Sequence, residues 1–343
     1  MAAEQTEAEV RRDRFVGCLL AGAVGDALGA GCEMLPADSI HKYYGEVRTY
    51  IREADQIFSA QRKRPYGHYT DDTEALLSVA QALIADQGKV RVETMAQTLV
   101  QGYHEFRGYS PYTSEVVQAL KAGMDPHTVS RVIVPPDDWK NALAFQGDPD
   151  NGAAMRIAPL GLLASQVEDY ELFYAAVQRA VLVTHFNAEA VDAAWIMAWL
   201  VSRLVAVRGD VDARRLVNDA IGLCRTSELQ TKLQFVVRSY DQGEPLVDVL
   251  DAVMGFDAVR GDEALAVVAA IFLWLQATPE EAVLTAVNLG GDCDTTAGMV
   301  GGLMGALHGT HWLPRPWIQD LEQHGAPVIA IAQALSESPN LEL

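Results

Sequence analysis

The amino-acid sequence predicts an all-α fold, a compact single-domain orthogonal bundle of helices. Apolar residues recur at helical spacing in nearly every long segment, beginning with residues 9–29. Sustained alternation of apolar and polar residues, which is typical of strands, does not occur. The best strand candidate is residues 131–134, and the two prolines that follow end it.

The same periodicity locates the other helices and the loops between them. Further helices are predicted over residues 71–86, 91–106, 114–123, 152–165, 168–183, 187–207, 211–224, 228–240, 262–277, 279–288, 293–308, 315–323 and 326–337. Residues 31–69, 107–112 and 145–151 are poorly periodic. The first of these stretches is too long for a simple connection, so it is predicted to be a functional loop or lid. Because neither a low-complexity linker nor a repeat is visible, we expect one domain over residues 10–340, after a flexible N-terminus of residues 1–9.

Charge and composition restrict the class of protein. Of the 343 residues, 46 are Asp or Glu and 26 are Lys or Arg, which gives a net charge of −20. This balance argues against a general nucleic-acid-binding protein. It is compatible with a small anionic ligand, since helix N-termini and bound metal ions can hold phosphate.

Cysteine spacing and hydropathy predict the compartment. The four cysteines form no CxxC pair, which argues against structural zinc and favours a reduced intracellular protein. The N-terminus lacks the apolar core of a signal peptide, and the most apolar stretch, residues 264–277, is too short to span a membrane. We therefore expect a cytoplasmic protein, in cytoplasm and nucleus if the source is a eukaryote, without a membrane partner.

Glycine is concentrated in the first predicted helix and in the helix after Asp294. The positions are Gly17, Gly22, Gly25 and Gly29 in the first, and Gly298, Gly301, Gly302 and Gly305 in the second. Each glycine in a helix interior costs about 1 kcal/mol relative to alanine. Their repetition predicts that these two helices pack closely at the centre of the bundle.

Two acidic clusters open predicted helices: Thr70-Asp71-Asp72-Thr73, and Asp292-Cys293-Asp294-Thr295-Thr296 after two glycines. One interpretation is an N-cap at each helix, because hydroxyl and acidic residues are preferred there. A cap needs only one oxygen, however, and each cluster offers two carboxylates that repel each other. If the clusters meet in space, they would form an oxygen-only site for a hard cation such as Mg²⁺, Mn²⁺ or Ca²⁺.

Other polar residues are candidates for a site, each with a structural alternative. Glu33 follows the first helix and is either a surface residue or a carboxylate that binds metal or water. Asp26, inside that helix, is interpreted as a buried hydrogen-bonding partner. Residues 147–156 are either a simple turn or a run whose backbone N–H groups hold a diphosphate. His185 lies between two helices and is either structural or ligand-binding.

Taken together, five ordered motifs resemble the ADP-ribosylglycohydrolase family, which includes the ADP-ribosyl-acceptor hydrolases and the dinitrogenase-reductase-activating glycohydrolase. The motifs are Gly25-Asp26-Ala27-Leu28-Gly29 with Glu33, Tyr69-Thr70-Asp71-Asp72-Thr73, Asn151-Gly152-Ala153-Ala154-Met155-Arg156, Thr184-His185, and Leu289-Gly290-Gly291-Asp292-Cys293-Asp294-Thr295. They cover about residues 14 to 310. The resemblance is nearest to the branch of serine-linked and poly-ADP-ribose hydrolases and their bacterial relatives.

The resemblance implies an all-α fold with two Mg²⁺ ions, which Mn²⁺ could replace, in a central cleft. It implies these metal ligands: Thr70, Asp71, Asp72, Asp292, Asp294 and Thr295, with Glu33 beside them. It also implies that Gly147, Asn151, Gly152 and His185 face the substrate. Cys293 stands where many members of the family have threonine.

By the same resemblance, the activity is hydrolysis of the glycosidic bond at C1″ of an ADP-ribosyl group on a protein or small acceptor. A water held by Glu33 or one of the aspartates would attack C1″, so the expected catalytic residues are Glu33, Asp71, Asp72, Asp292 and Asp294. A nucleic acid would be a partner only through an ADP-ribosylated end. Two alternatives stay open: a dinuclear phosphohydrolase, and a catalytically silent member that binds ADP-ribose or serves structurally. The acceptor linkage and the oligomeric state are also open.

Overall fold

The computed structural model describes residues 6–57, 63–133, 147–255 and 257–342. These residues form α-helices and three isolated bridges without a β-strand, so the all-α prediction is confirmed. The helices are α1 (Glu7–Gly29), α2 (Ala37–Tyr44), α3 (Asp71–Ala85), α4 (Val92–Gly102), α5 (Pro111–Lys121), α6 (Val129–Val132), α7 (Ala158–Leu163), α8 (Tyr170–Val181), α9 (Ala188–Leu204), α10 (Ala213–Ile221), α11 (Ser227–Gln242), α12 (Leu246–Val253), α13 (Gly261–Leu275), α14 (Pro279–Asn288), α15 (Cys293–His308), α16 (Arg315–Asp320) and α17 (Ala326–Glu337).

The first helix begins earlier than the sequence predicts. Thr6 accepts a hydrogen bond from the backbone of Glu9, and the Glu9 side chain accepts one from the backbone of Thr6. This capping box satisfies two N–H groups that the first turn leaves without a helical partner. Residues 7–9, which the sequence analysis assigned to the N-terminal segment, thus belong to α1, and residues 1–5 lie outside the described part of the chain.

Two short elements depart from the predicted pattern. Residues 131 and 132 of the best strand candidate, residues 131–134, belong to α6, a single helical turn; Val134 itself is outside the described residues. Ser130 fixes that turn, because its carbonyl accepts from the Tyr112 hydroxyl and its own hydroxyl donates to the Leu182 carbonyl. The second is α2, which lies inside the long predicted loop of residues 31–69.

The centre of the molecule is the pair α1 and α15, which is the most extensive helix contact. A Cβ at Gly25 would lie 2.2 Å from the Ala297 carbonyl oxygen, and one at Gly305 would lie 2.1 Å from that of Gly17. No side chain fits at such distances, so the two backbones touch directly. This confirms the predicted close packing of the two glycine-rich helices.

The same pair positions the acidic residues. At its far end, a Cβ at Gly29 would lie 2.5 Å from the Cα of Asp294, so the last turn of α1 meets the first turn of α15. The apolar helices α9 and α13 pack against α15. Within the described residues, none of the helices has both the length and the apolar character needed to cross a membrane.

Candidate active site

The first acidic turn is held against α1 by Asp26. The Asp26 carboxylate accepts from the backbone N–H of Thr70 (2.9 Å) and from the N–H and hydroxyl of Thr73 (3.0 and 2.5 Å). Thr70 caps α3 by accepting from the backbone of Asp72. Asp26 is thus the buried hydrogen-bonding partner that the sequence indicates, and the capping interpretation is right for Thr70.

The second acidic turn is held by two glycines with positive φ, Gly290 (82°) and Gly291 (63°). The carbonyl of Gly291 accepts from Met34 (2.7 Å), and its N–H donates to the Leu35 carbonyl (3.0 Å). These bonds fasten the segment after Glu33 to the turn before Asp292. The Asp292 side chain makes no capping hydrogen bond, so the capping interpretation fails for this carboxylate.

Both turns and the Glu33 segment face one cavity of about 470 Å³. Of the predicted site residues, the following line it: Glu33, Asp71, Asp72, Asn151, Gly152, Asp292, Asp294 and Thr295. Residues 33, 72 and 294 come from distant parts of the chain, and only the fold brings them together. A cavity of this size suits a small ligand such as a nucleotide.

Three predicted site residues do not line the cavity. Thr70 is fully buried, and its hydroxyl is bonded to Asp72. Gly147 lies behind the cavity wall, where its carbonyl accepts from the Asn187 side chain. His185 is 1% exposed, so its side chain cannot contact a ligand in the cavity as the structure stands.

His185 instead supports the loop that precedes the Asn151 turn. Its Nε2 is 2.5 Å from Oδ1 of Asp150, and its Nδ1 is 2.7 Å from the Thr184 hydroxyl. Arg156 donates to the same hydroxyl. Since the Asp150 carboxylate is an acceptor, Nε2 of His185 carries a proton and donates it to Oδ1.

Within residues 147–156, the run that the sequence analysis considered as a diphosphate cradle, the backbone N–H groups of residues 150–152 have partners in the protein. The N–H of Asp150 donates to Asp148, that of Asn151 to the Val259 carbonyl, and that of Gly152 to Asp150. All three donors are therefore occupied within the protein. Among the described residues that line the cavity, the positively charged side chain is that of Arg64, and the sequence analysis did not identify it.

Arg64 lies in the long segment between α2 and α3. One guanidinium nitrogen donates to Glu33 (3.3 Å), and another donates to the carbonyls of Phe106 (3.0 Å) and Arg107 (2.5 Å). The prediction of a functional loop over residues 31–69 pointed to this segment but not to the residue. The cavity also has an apolar wall, which is formed by Met34, Tyr109, Met155 and Val259. Of these four residues, only Met155 belongs to a motif that the sequence analysis identified.

The negative charges of the carboxylates in the cavity are unfavourable, because these groups are buried and lie close to one another. Burial raises the pKa of Asp71, Asp72 and Asp294 well above the ordinary value, and neighbouring carboxylates raise it further. Burial also raises the pKa of Asp292 to about 6, while a hydrogen bond from Asn151 opposes the rise. The cluster therefore favours a proton or another cation between its members.

The donor set fits a hard divalent cation by its chemistry. Oδ1 of Asp72 and Oδ1 of Asp294 are buried without a hydrogen-bond partner, and such oxygens are costly unless a cation or donor meets them. Among the residues that the structure describes, no group of three or more His, Cys, Asp or Glu side chains stands in a geometry that could hold a metal ion. Metal binding would thus require the carboxylates to rotate toward one another.

Comparison with known proteins places the chain in a family. The family model for ADP-ribosylglycohydrolase matches residues 7–341. The chain belongs to the ADP-ribosylglycohydrolase family. The predicted family is thereby confirmed, and so is the predicted class of enzyme, a hydrolase that acts on a glycosidic linkage.

Relatives within the family match nearly all of the chain. It is 26% identical to ADP-ribosylhydrolase ARH3 of Mus musculus, over 90% of this chain and 87% of that protein. It is 25% identical to ADP-ribosylarginine hydrolase Tri1 of Pseudomonas putida, over 90% of this chain and 74% of that protein. A solved structure described as an ADP-ribosylglycohydrolase-related protein complex matches with a TM-score of 0.67 and 26% identity, over 95% of this chain and 98% of that one.

Cys293, the cysteine inside the second acidic turn, does not line the cavity. Its Sγ lies 3.7 Å from Sγ of Cys32 and 3.6 Å from the Gly29 carbonyl oxygen. The contact with Cys32 and complete burial raise the pKa of the Cys293 thiol well above its ordinary value. A buried thiol of this kind is unreactive.

We therefore expect Cys293→Thr to leave the rate of hydrolysis unchanged. We also expect Cys293 of the folded protein to resist a thiol-labelling reagent that reacts fully after denaturation. Mass spectrometry of the labelled protein measures the second result. Rapid labelling of Cys293 in the native state would contradict this placement.

The raised pKa of Asp292 predicts a pH dependence of stability. Because the folded protein binds this proton more tightly than the unfolded chain does, the carboxyl group favours folding below about pH 4 and loses that contribution as the pH rises through about 6. Metal-free protein should therefore lose stability relative to Asp292→Asn between pH 4 and pH 6. Denaturant unfolding of both proteins in chelator at several pH values measures the difference. A difference that stays constant over this range would contradict the assigned pKa.

Proposed function

We propose that this protein hydrolyses the glycosidic bond at C1″ of an ADP-ribosyl group and releases ADP-ribose, with two Mg²⁺ ions as cofactors and Mn²⁺ as a possible substitute. The observation that carries the proposal is the convergence of both acidic turns and Glu33 on one cavity. Membership of the ADP-ribosylglycohydrolase family supports the reaction class.

Five residues of the cavity wall would hold the metal ions: Asp71, Asp72, Asp292, Asp294 and Thr295. The unpaired oxygens of Asp72 and Asp294 support this assignment. Divalent ions bound here would orient the ribose hydroxyls and stabilise the charge that develops in the transition state. Thr70 is better described as the residue that orients Asp72, since its hydroxyl is bonded to that side chain.

Glu33 is suited to hold and deprotonate the attacking water. Arg64 donates to its Oε2, which leaves Oε1 to accept from a water in the cavity. The bond to Arg64 also fixes the carboxylate at the cavity wall beside Asp71. A carboxylate in hydrogen-bond reach of a water can remove its proton as the water attacks the anomeric carbon.

The apolar wall suits the adenosine part of the ligand. Tyr109, Met155, Met34 and Val259 provide an aromatic ring and apolar surface, as adenine requires. Arg64 is the cation available to the diphosphate, because the backbone donors of residues 150–152 are occupied. An ADP-ribosyl group would thus lie between this wall and the acidic turns.

Product analysis tests the proposal against its alternatives. Purified protein with Mg²⁺ is incubated with serine-, arginine- and O-acetyl-linked ADP-ribose, with poly-ADP-ribose and with an ADP-ribosylated nucleic-acid end. We expect ADP-ribose from at least one of these substrates. AMP with ribose 5-phosphate would instead indicate a phosphohydrolase. Lack of any product across the panel would indicate a silent member of the family.

A further inference from the structure

Asn151 has no donor left for a ligand. Its side-chain amide donates to Oδ2 of Asp292 (2.7 Å) and to the Ala258 carbonyl (3.1 Å), and its backbone N–H donates to the Val259 carbonyl (2.9 Å). Both side-chain partners are acceptors, so only the orientation that places Nδ2 toward them satisfies the contacts. Although Asn151 lines the cavity, it is only 5% exposed.

The amide is held rigidly from the other side of the loop. Asp150 accepts from His185 at 2.5 Å and from the N–H of Gly152 at 2.9 Å, which fixes the turn that carries Asn151. His185 in turn is bonded to Thr184, and Arg156 donates to Thr184. These side chains are buried or mostly buried, so the position of the amide does not depend on a bound ligand.

A single segment, residues 257–259, supports both Asn151 and Asp292. The carbonyl of Asp257 accepts from the backbone N–H of Asp292 at 2.8 Å, and the next two carbonyls accept from Asn151. Asp257 and Ala258 both adopt the left-handed region, with φ of 61° and 58°. Such a conformation persists only where the surrounding contacts require it. The backbone that carries Asp292 and the amide that binds its carboxylate are therefore fixed relative to one another.

We propose that Asn151 is a positioning residue that orients the Asp292 carboxylate for metal binding, and that it is not a direct contact of the substrate diphosphate. This inference rests on the proposed function, since it requires that Asp292 bind a metal ion. A hydrogen bond to one oxygen of a metal-binding carboxylate fixes which oxygen faces the ion. Loss of such a partner typically weakens metal binding about 10- to 100-fold.

Direct metal binding separates this role from substrate contact. Mn²⁺ affinity is measured by electron paramagnetic resonance without substrate, and ADP-ribose affinity is measured by calorimetry at saturating Mn²⁺. For Asn151→Ala we expect Mn²⁺ affinity to fall about 10- to 100-fold, with little change in ADP-ribose affinity. Met155→Ala is the matched control: its thioether lines the same cavity without donating a hydrogen bond, so its Mn²⁺ affinity should equal that of wild type.

A double-mutant cycle with Asp292→Asn tests whether Asn151 acts through Asp292. In that background, Asn151→Ala should cause little further loss of Mn²⁺ affinity, because the group that it orients is already changed. Thermal unfolding without metal establishes that each variant is folded, and Asn151→Ser replaces the alanine variant if that one is not.

Three results would overturn the inference: wild-type Mn²⁺ affinity in Asn151→Ala, additive losses in the cycle, or a loss confined to ADP-ribose. Wild-type protein that binds no Mn²⁺ would refute the metal site itself, and with it the role of Asn151. The wild-type measurement therefore distinguishes failure of the proposed function from failure of this inference.

Discussion

Asp294→Asn is expected to abolish ADP-ribose release and, at the same time, to stabilise the metal-free protein. Asp294 is 3% exposed, and its pKa is raised well above the ordinary value, first by burial and then by Glu33, Asp292 and Asp72. A neutral amide of nearly the same shape removes this repulsion. It also removes one of the proposed metal ligands, which should lower the rate about 10³-fold, as expected for several kcal/mol of lost transition-state stabilisation.

The matched control is another buried aspartate, Asp192 in α9. Its carboxylate accepts from the backbone of Arg225 and from the backbone and hydroxyl of Thr226, so both carboxylate oxygens have hydrogen-bond donors within the fold. Asp192→Asn should destabilise the protein by about 1–3 kcal/mol and leave the rate unchanged at temperatures where it is folded. Denaturant unfolding in chelator and the release assay measure both variants. Wild-type activity in Asp294→Asn would contradict the metal assignment.

Gly301→Ala is expected to destabilise the helix pair strongly. A Cβ at Gly301 would lie 2.2 Å from the Ala21 carbonyl oxygen and 2.7 Å from its carbon, so α1 and α15 would have to separate. Both atoms belong to backbone and cannot rotate away. We expect a loss of at least about 3 kcal/mol, the upper end of the usual cost of overpacking. Separation would also move Asp294 away from α1 and weaken metal binding.

The neighbouring residue provides the control for this prediction. A Cβ at Gly302 would meet its nearest atoms at 3.9 Å, which is ordinary van der Waals contact. Gly302→Ala should therefore be tolerated and should gain up to about 1 kcal/mol from helix propensity. Unfolding free energies from denaturant titration measure both variants. Equal stabilities of Gly301→Ala and Gly302→Ala would show that the close backbone contact is not a feature of the protein in solution.

The sequence carried most of the information about the fold and about the acidic turns. Glycines at repeated spacing in two apolar helices predict close packing, because close packing explains why glycine is present despite its cost in helix stability. The position of Asp26 among small residues predicts that it is a buried hydrogen-bonding partner. Each acidic turn has two carboxylates, whereas a helix cap needs only one oxygen. These signals are local, so they can be found without the structure. Short elements such as α6 cannot be predicted from such local signals, because four residues are too few to show a helical period.

The partners of polar side chains could not be predicted in this way. His185 and Asn151 fall in motifs that suggest ligand contacts, yet His185 binds Asp150 and the Asn151 amide binds Asp292. Arg64 reaches Glu33 across 31 positions of sequence, and nothing in its neighbourhood marks it. Whether such a residue meets a ligand or another residue depends on tertiary distances, which no spacing encodes.

Metal-dependent release of ADP-ribose tests most directly whether the two acidic turns form a working centre. Protein is stripped with chelator, returned to buffer, and assayed with the substrates that it cleaves while Mg²⁺ or Mn²⁺ is titrated back. The convergence of Asp71, Asp72, Asp292 and Asp294 on one cavity predicts that the stripped enzyme is inactive and that either ion restores ADP-ribose release. Full activity of the stripped enzyme would contradict the proposal that the two acidic turns form a metal centre.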